Sequence, residues 1–246
     1  MAIVVPSHGK QGRFYLGSLD MSAYVESVRA AFERDLAQHQ PLLASTPTQV
    51  PGHSRVTFTL GGAALVAGSG HNEEHAWAML NADGHTVMSY VPYRDIRGEI
   101  AFCGLTKYAN HSMDAGDDVL RLPVGVVSSE TIELCRILRA LASVGISPST
   151  AVDNGDATGN GGAGFLHVTA IGAGAALNVD IEDSANGVDF TSLLSFVEVT
   201  PATLATSGAQ RVQVAAGAAV RQYLRLSWTL AGGAATATWF ASFGRR

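Results

Sequence analysis

The stretch VRQYLRLSWTL, Val220 to Leu230, alternates between apolar side chains at even positions and polar or aromatic side chains at odd positions. Gln222 is the one exception on the apolar side. Alternation with a period of two is typical of a β-strand with one buried face. The segment therefore predicts a strand whose outer face carries Arg221, Tyr223 and Arg225. We interpret this face as exposed to solvent or, since Arg and Tyr are enriched in interfaces, docked on a neighbouring subunit.

Five further segments near this stretch read as strands, and each is bounded by Gly, Asn or Pro. Short strands at regular spacing predict an Ig-like β-sandwich. Residues 145–164 are rich in Gly, Ser, Thr, Asp and Asn, which indicates a linker. We therefore predict two domains, 1–145 and 146–246. The five segments are GFLHVTAIG (164–172), AALNVDIED (175–183), TSLLSFVEV (191–199), QRVQVAA (210–216) and TATWFASFG (236–244).

The first 145 residues predict further strands and one short helix. Asn72–Gly84 is the predicted helix, because Asn72 can cap its start and Gly84 follows its end. Residues 36–52 contain three prolines and predict a long loop. Residues 129–145 fit either a helix or a strand. The predicted strands lie near Arg13–Leu16, Ala23–Glu33, Ser54–Gly62, His85–Tyr90, Glu99–Tyr108 and Val119–Ser128.

Composition excludes several classes of protein. The chain has 246 residues, 27 of them Gly, with 15% charged residues and a net charge of −5. Only Lys10 and Lys107 are lysines and no basic run occurs, which argues against a dedicated nucleic-acid binder. Cys103 and Cys135 are expected to be buried thiols. We expect no signal peptide, since the apolar run at the start is broken by Pro6 and no charged region precedes it. We expect no membrane helix, since no segment has about 20 consecutive apolar residues.

One family resemblance emerges from the order of these segments. LGSLDMSAYVESV (16–28) is followed by the long loop, by VPGHSRVTFTLGG (50–62), by EEHAWAML (73–80) and by the pair of strands in 97–130. This order, over roughly residues 13–140, resembles the tail tube (major tail) proteins of long-tailed bacteriophages. The predicted second domain, residues 146–246, resembles accessory β-sandwich modules of virion proteins. Tube proteins often have a Thr- and Gly-rich segment where this chain has QPLLASTPTQ (40–49).

The resemblance implies an all-β fold with a short helix, in which a tail-tube-like β-sandwich or barrel domain precedes the second sandwich. It implies a structural virion protein without enzymatic activity or cofactor, assembled in the host cytoplasm. Copies would form stacked hexameric rings with tape measure and tail terminator proteins as partners. Phage DNA would pass through without specific binding. The inner barrel would use the strands near 23–33, 55–60, 99–108 and 119–128.

The resemblance also implies roles for particular residues. The loop would contact the next ring, and a near absence of Lys would keep the conduit wall from retaining DNA. The outer sandwich would decorate the tube. The candidate inter-ring residues are Leu36, Gln38, Pro41, Leu42, Leu43, Pro47 and Val50. The candidate lumen-facing residues are Glu26, Glu33, Glu99, Asp117 and Asp118.

Several alternatives stay open at this point. A capsid decoration protein or a minor tail protein belongs to the same broad class. HNEEH (71–75) fits the HxxEH pattern of zinc-dependent hydrolases, with His71 and His75 as ligands and Glu74 as base. The cluster DNGDATGN (153–160) offers oxygen ligands for Ca²⁺, although turn chemistry explains the same residues. A carbohydrate-binding module is a further alternative, with Tyr223 and the neighbouring arginines as its platform.

Overall fold

The computed structural model describes residues 12–23, 25–39, 48–62, 84–111, 114–115, 120–121, 124–143, 148–232 and 235–246. These residues are nearly all β, which confirms the predicted fold class. The one α-helix among them is short, Leu204–Ser207 (α1), and a 3₁₀ turn spans Met21–Ala23. The predicted helix at 72–84 lies outside the described residues. No helix in the described part of the chain is long and apolar enough to cross a membrane.

The strands are numbered in chain order. They are β1 (Arg13–Leu16), β2 (Leu19–Asp20), β3 (Val25–His39), β4 (Thr48–Gly62), β5 (Thr86–Val91), β6 (Ile100–His111), β7 (Asp114–Ala115), β8 (Leu120–Arg121), β9 (Val124–Ser128), β10 (Glu133–Ser143), β11 (Val152–Asp153), β12 (Gly162–Ile171), β13 (Ala176–Ser184), β14 (Thr191–Ser195), β15 (Ala209–Val214), β16 (Tyr223–Ala231) and β17 (Ala237–Arg245).

The chain forms two compact units, each built from segments that are distant in sequence. The first unit comprises residues 1–23, 86–104 and 133–246. The second comprises residues 24–85 and 105–132, so the boundary falls within β6. The predicted division at residue 145 differs from this grouping, because β10 hydrogen-bonds to β17 and so joins the strands that follow it. Whether residues 1–145 and 146–246 act as two domains stays a prediction.

The first unit contains a β-sandwich. One sheet has the order β15–β12–β17–β10–β6–β5–β1–β2, and the other has the order β11–β16–β13–β14. The alternation in β16 is confirmed, since Leu224, Leu226 and Trp228 are buried. Burying these faces is the main favourable contribution to folding, at roughly 25 cal/mol per Å² of apolar surface. The other strongly buried core residues include Leu138, Leu166, Val168, Leu177, Val179, Ile181, Val220, Trp239, Ala241 and Phe243.

The structure resolves the ambiguity at residues 129–145 in favour of a strand. Buried and exposed side chains alternate along the first half of β10. The strand pairs with β6 and β17, and two register irregularities interrupt the pairing with β17. The stretch forms a strand rather than a helix, because its backbone pairs with β6 on one side and β17 on the other while one face of the strand is buried.

The prediction of a long loop at 36–52 is wrong at both of its ends. Residues 36–39 belong to β3 and residues 48–52 belong to β4, while residues 40–47 lie outside the described residues. Pro51 lies opposite Leu36, next to a register irregularity between Arg34 and Leu36. A proline is tolerated in a strand beside such an irregularity, since the missing N–H falls where the ladder is already interrupted.

Candidate functional site

The second unit is built around four strands in the order β3–β4–β9–β6. We call these strands the hairpin sheet, with β6 contributing its residues 105–111. The strands near 23–33, 55–60, 99–108 and 119–128, which the tail tube resemblance assigned to one barrel wall, do pair with one another. The predicted strand 119–128 is divided into β8 and β9. The two hairpin strands, β3 and β4, have 15 residues each, against a usual strand length of about five or six.

The edge formed by β3 has backbone groups available for pairing. Among the described residues, β3 pairs with β4 alone. Natural edge strands are usually short or carry Pro, Lys or a covering segment, since an open edge templates pairing with another chain. β3 is long and contains no Pro, its five charged residues include no Lys, and its Phe32 is 58% exposed. This edge is therefore a candidate assembly surface.

The two faces of the hairpin sheet differ in chemistry. One face is apolar, and Val56, Phe58, Leu60, Val124 and Val126 on it are buried. Residues directly opposite one another share a face, so the registers assign the other side chains. We call the second face the polar face. Its residues include Ser27, Arg29, Ala31, Glu33, Arg55, Thr57, Thr59, Gly61, Gly125, Val127 and Lys107.

The candidate inter-ring residues divide into two groups. Leu36, Gln38 and Val50 lie within β3 and β4, where Leu36 is opposite Pro51 and Gln38 is opposite Gln49. The other four, Pro41, Leu42, Leu43 and Pro47, lie outside the described residues. The contact of this segment with a neighbouring ring stays a prediction.

The structure describes three of the five candidate lumen residues. Glu33 lies on the polar face, where its Oε2 accepts a hydrogen bond from Arg55 Nη2 at 2.9 Å. Glu26 is exposed and lies at a register irregularity between Val25 and Ser27. Glu99 precedes β6 and belongs to the other unit. Asp117 and Asp118 lie outside the described residues.

The outer face of β16 is paired within the chain. The Nε of Arg225 donates to Glu182 Oε2 at 2.6 Å, and its guanidinium carbon lies 3.9 Å from the centre of the Phe190 ring. Arg221 lies 3.7 Å from Asp183 and donates to the Thr191 hydroxyl. Tyr223 is half-buried. Docking of Arg221, Tyr223 and Arg225 on a neighbour, or on a sugar, stays a prediction.

Neither sequence motif for a metal gains support from the described residues. The HxxEH residues His71, Glu74 and His75 lie outside them. In the loop at 153–160, Asp153 Oδ1 accepts the Gly155 N–H at 3.0 Å, which is turn chemistry. No group of three His, Cys, Asp or Glu side chains that could hold a metal occurs in the described ranges.

A serine and a histidine lie in contact in the first unit, and no motif in the sequence indicates them. Ser89 Oγ lies 2.8 Å from His167 Nε2, and His167 Nδ1 lies 2.8 Å from the Gly17 carbonyl oxygen. Both side chains are fully buried, and burial lowers the pKa of His167 to about 4. A substrate has no access to this pair, so the contact is structural. The only signal in the sequence is a lone His in the apolar strand β12.

A second buried polar cluster surrounds Glu133. Its Oε1 accepts hydrogen bonds from Arg211 at 3.0 Å and from Arg246 at 2.7 Å. The side chains of Glu133 and Arg211 are 4% and 7% exposed. The sequence separates these residues by more than 70 positions, so no local pattern could have revealed the contact.

The chain matches no family model and no curated protein, but it is similar to several solved structures. A chain of the virion of a native gene transfer agent particle is 12% identical, with a TM-score of 0.40 over 52% of this chain and 98% of that chain. The SPP1 Dit (gp 19.1) protein, described as a hub adsorption apparatus of phages that infect Gram-positive hosts, is 10% identical, with a TM-score of 0.40 over 95% and 99%. A sheath/tube terminator of an extracellular contractile injection system is 10% identical, with a TM-score of 0.43 over 54% and 99%.

Proposed function

We propose that this chain is a structural, non-enzymatic subunit of a phage-tail-type assembly and that its copies form closed rings through the edge of β3. The observation that carries the proposal is the hairpin sheet, whose long strand β3 has one partner among the described residues. In a closed ring every such edge pairs with a neighbouring copy, so a surface that favours aggregation becomes an interface.

The proposed role as a tail tube subunit rests on the sequence resemblance together with this sheet. Two hairpin-forming pairs, β3–β4 and β6–β9, join in one four-stranded sheet. Repeating a four-stranded sheet around an axis gives a continuous wall without free edges. Stacked rings would then form the DNA conduit in the virion, with tape measure and terminator proteins as partners.

A minor tail protein that forms a single ring is the second candidate. The observation that favours it is the length of β3 and β4, which take up both ends of the segment assigned to inter-ring contact. A shorter connecting segment leaves less chain to reach a second ring. Negative-stain electron microscopy separates the two roles, since a tube subunit gives stacked rings and the second candidate gives isolated ones.

The edge can be tested with two adjacent alanines, Ala30 and Ala31, which pair with Phe58 and Thr57 in an uninterrupted register. Along an antiparallel strand, backbone N–H groups point alternately towards the partner strand and away from it. Of the variants Ala30→Pro and Ala31→Pro, one therefore loses an outward N–H and the other loses a bond to β4. We expect one variant to keep the wild-type circular dichroism spectrum and yet elute as a single copy in size-exclusion chromatography.

The untagged wild-type protein is the reference in both measurements. Rings or tubes of the wild type, absent in the folded proline variant, support assembly through β3. A wild type that stays a single copy at high concentration contradicts the proposal. Rings that persist in both folded proline variants place the interface elsewhere.

A further inference from the structure

The polar face carries more basic than acidic side chains. Among the side chains of this face that the structure describes, three are basic, Arg29, Arg55 and Lys107, and one is acidic, Glu33. All four are exposed. The ion pair between Arg55 and Glu33 neutralises one positive charge. No ion pair is found for Arg29 or Lys107 within the described ranges, so the face keeps two uncompensated cations.

The two cations lie on the two outer strands of the hairpin sheet, Arg29 on β3 and Lys107 on β6. Ala31 and Thr57 lie in the row of Lys107, together with Val127. Arg29 lies two residues further along β3 and three strands away from Lys107. With strands about 4.8 Å apart and about 3.4 Å per residue, the two Cα atoms are about 16 Å apart. Both long side chains project from the same face of the sheet.

The same face lacks the features of a protein interface. Interface centres are rich in large aromatic and apolar side chains that insert into pockets. Among the described residues of the polar face, none is an exposed large apolar side chain, and the exposed Phe32 belongs to the opposite face. Small polar residues beside two cations that have no ion pair in the described part of the chain instead fit a row of phosphates.

We propose that the polar face binds the phosphate backbone of duplex DNA without sequence preference. This deepens the proposed function and rests on it for its biological setting, because a ring would repeat the two cations around an enclosed strand of DNA. It is an alternative to the expectation of an acidic wall, which stays a prediction because Asp117 and Asp118 lie outside the described residues. Glu33 is neutralised by Arg55, Glu26 lies at a register irregularity, and Glu99 lies outside the hairpin sheet.

The test measures the binding of a fluorescently labelled, mixed-sequence DNA duplex to the full-length protein by anisotropy, at salt concentrations between about 50 and 200 mM. Each phosphate contact adds about −0.9 to the slope of log affinity against log salt. Two contacts per copy give a slope of about −1.8 or steeper, and the affinity falls at least about tenfold over this range.

Matched variants identify the face. Arg29→Gln with Lys107→Gln should abolish the salt-dependent binding, whereas Arg94→Gln with Arg97→Gln removes the same charge from an exposed loop and should leave it unchanged. Glu33→Gln removes the acidic side chain that pairs with Arg55 and should strengthen binding. Circular dichroism checks that each variant is folded.

The outcomes separate this inference from the proposed function. Rings in the micrographs without DNA binding at low salt overturn the inference and leave the assembly intact. DNA binding by a protein that never assembles supports the inference and overturns the ring. An equal loss of DNA affinity in the Arg94/Arg97 variant contradicts a phosphate-binding face. So does polyglutamate binding that is as tight as DNA binding and that the Arg29/Lys107 variant also loses.

Discussion

His167 Nε2 and Ser89 Oγ lie 2.8 Å apart, and both side chains are fully buried in the first unit. Because His167 Nδ1 faces the Gly17 carbonyl, Nδ1 carries the proton and Nε2 accepts the hydrogen bond from the Ser89 hydroxyl. The ring also stacks on Tyr15, with centroids 5.4 Å apart. The pair thus ties β12 to β5 and to the turn after β1.

This contact predicts a loss of stability in acid. Burial lowers the pKa of His167 from 6.5 to about 4, so folding favours the neutral ring. The stabilisation is complete above pH 6.5 and is lost as the pH falls towards 4, with a total of about 3 kcal/mol. Chemical denaturation of the wild type and of His167→Gln at several pH values measures it. Since glutamine does not titrate, the variant should lose less stability across this window, and parallel curves would contradict the assignment.

The hydroxyl of Ser89 provides a second, pH-independent prediction. Ser89→Ala removes the donor to Nε2 and leaves a buried acceptor unpaired. We expect the free energy of unfolding to fall by about 1–3 kcal/mol at pH 7. Ser227→Ala, on the outer face of β16, is the control and should change it by about 0.5 kcal/mol or less.

Gly161 is predicted to tolerate no side chain. Its φ is +73°, and an added Cβ would lie 2.3 Å from the Ala215 carbonyl oxygen. Gly155 has a similar φ of +81° but open space around its Cα. Gly155→Ala should therefore cost only the conformational strain, about 1–2 kcal/mol, while Gly161→Ala should cost clearly more because backbone must move. Thermal unfolding of the two variants compares them, and equal losses would refute the steric argument.

Arg139 is predicted to stabilise the sandwich through two indoles. Its guanidinium carbon lies 4.4 Å from the centre of the Trp239 ring and 5.1 Å from that of Trp228. Arg139→Gln should lower the free energy of unfolding by about 1–2 kcal/mol and alter the tryptophan emission spectrum. Arg97→Gln is the matched control on an exposed loop and should leave both unchanged.

The buried ion pair of Glu133 should be costly to break from one side. Glu133→Gln leaves Arg211 without its carboxylate in a site where both side chains are less than a tenth exposed. We expect a loss of about 3–5 kcal/mol in urea denaturation. Glu33→Gln breaks an exposed pair with Arg55 and should cost less than about 1 kcal/mol. Similar losses in both variants would contradict the role of burial.

The strands were predictable wherever one face is buried and the other is not. In β16 the alternation of Leu224, Leu226 and Trp228 with polar neighbours is a local property, so it is legible without a partner strand. β10 was ambiguous because its apolar residues fit two periods, and pairing with β6 and β17 decided between them. The three prolines at residues 36–52 predicted a loop where both ends are strand, because the register irregularity beside Pro51 depends on the partner strand and is not visible in the sequence.

The order of segments by itself determined that this protein is nearly all β, with strands along both halves and a sandwich near the end of the chain. The composition determined the net charge of −5 and the scarcity of lysine. Only the tertiary structure decided which strands share a sheet, which edge is open and which charges share a face. Those properties depend on register and pairing between distant segments, and a shift by one residue would exchange Arg29 and Lys107 with their apolar neighbours. The net charge is negative, yet register gathers on one polar face two cations that have no ion pair within the described ranges.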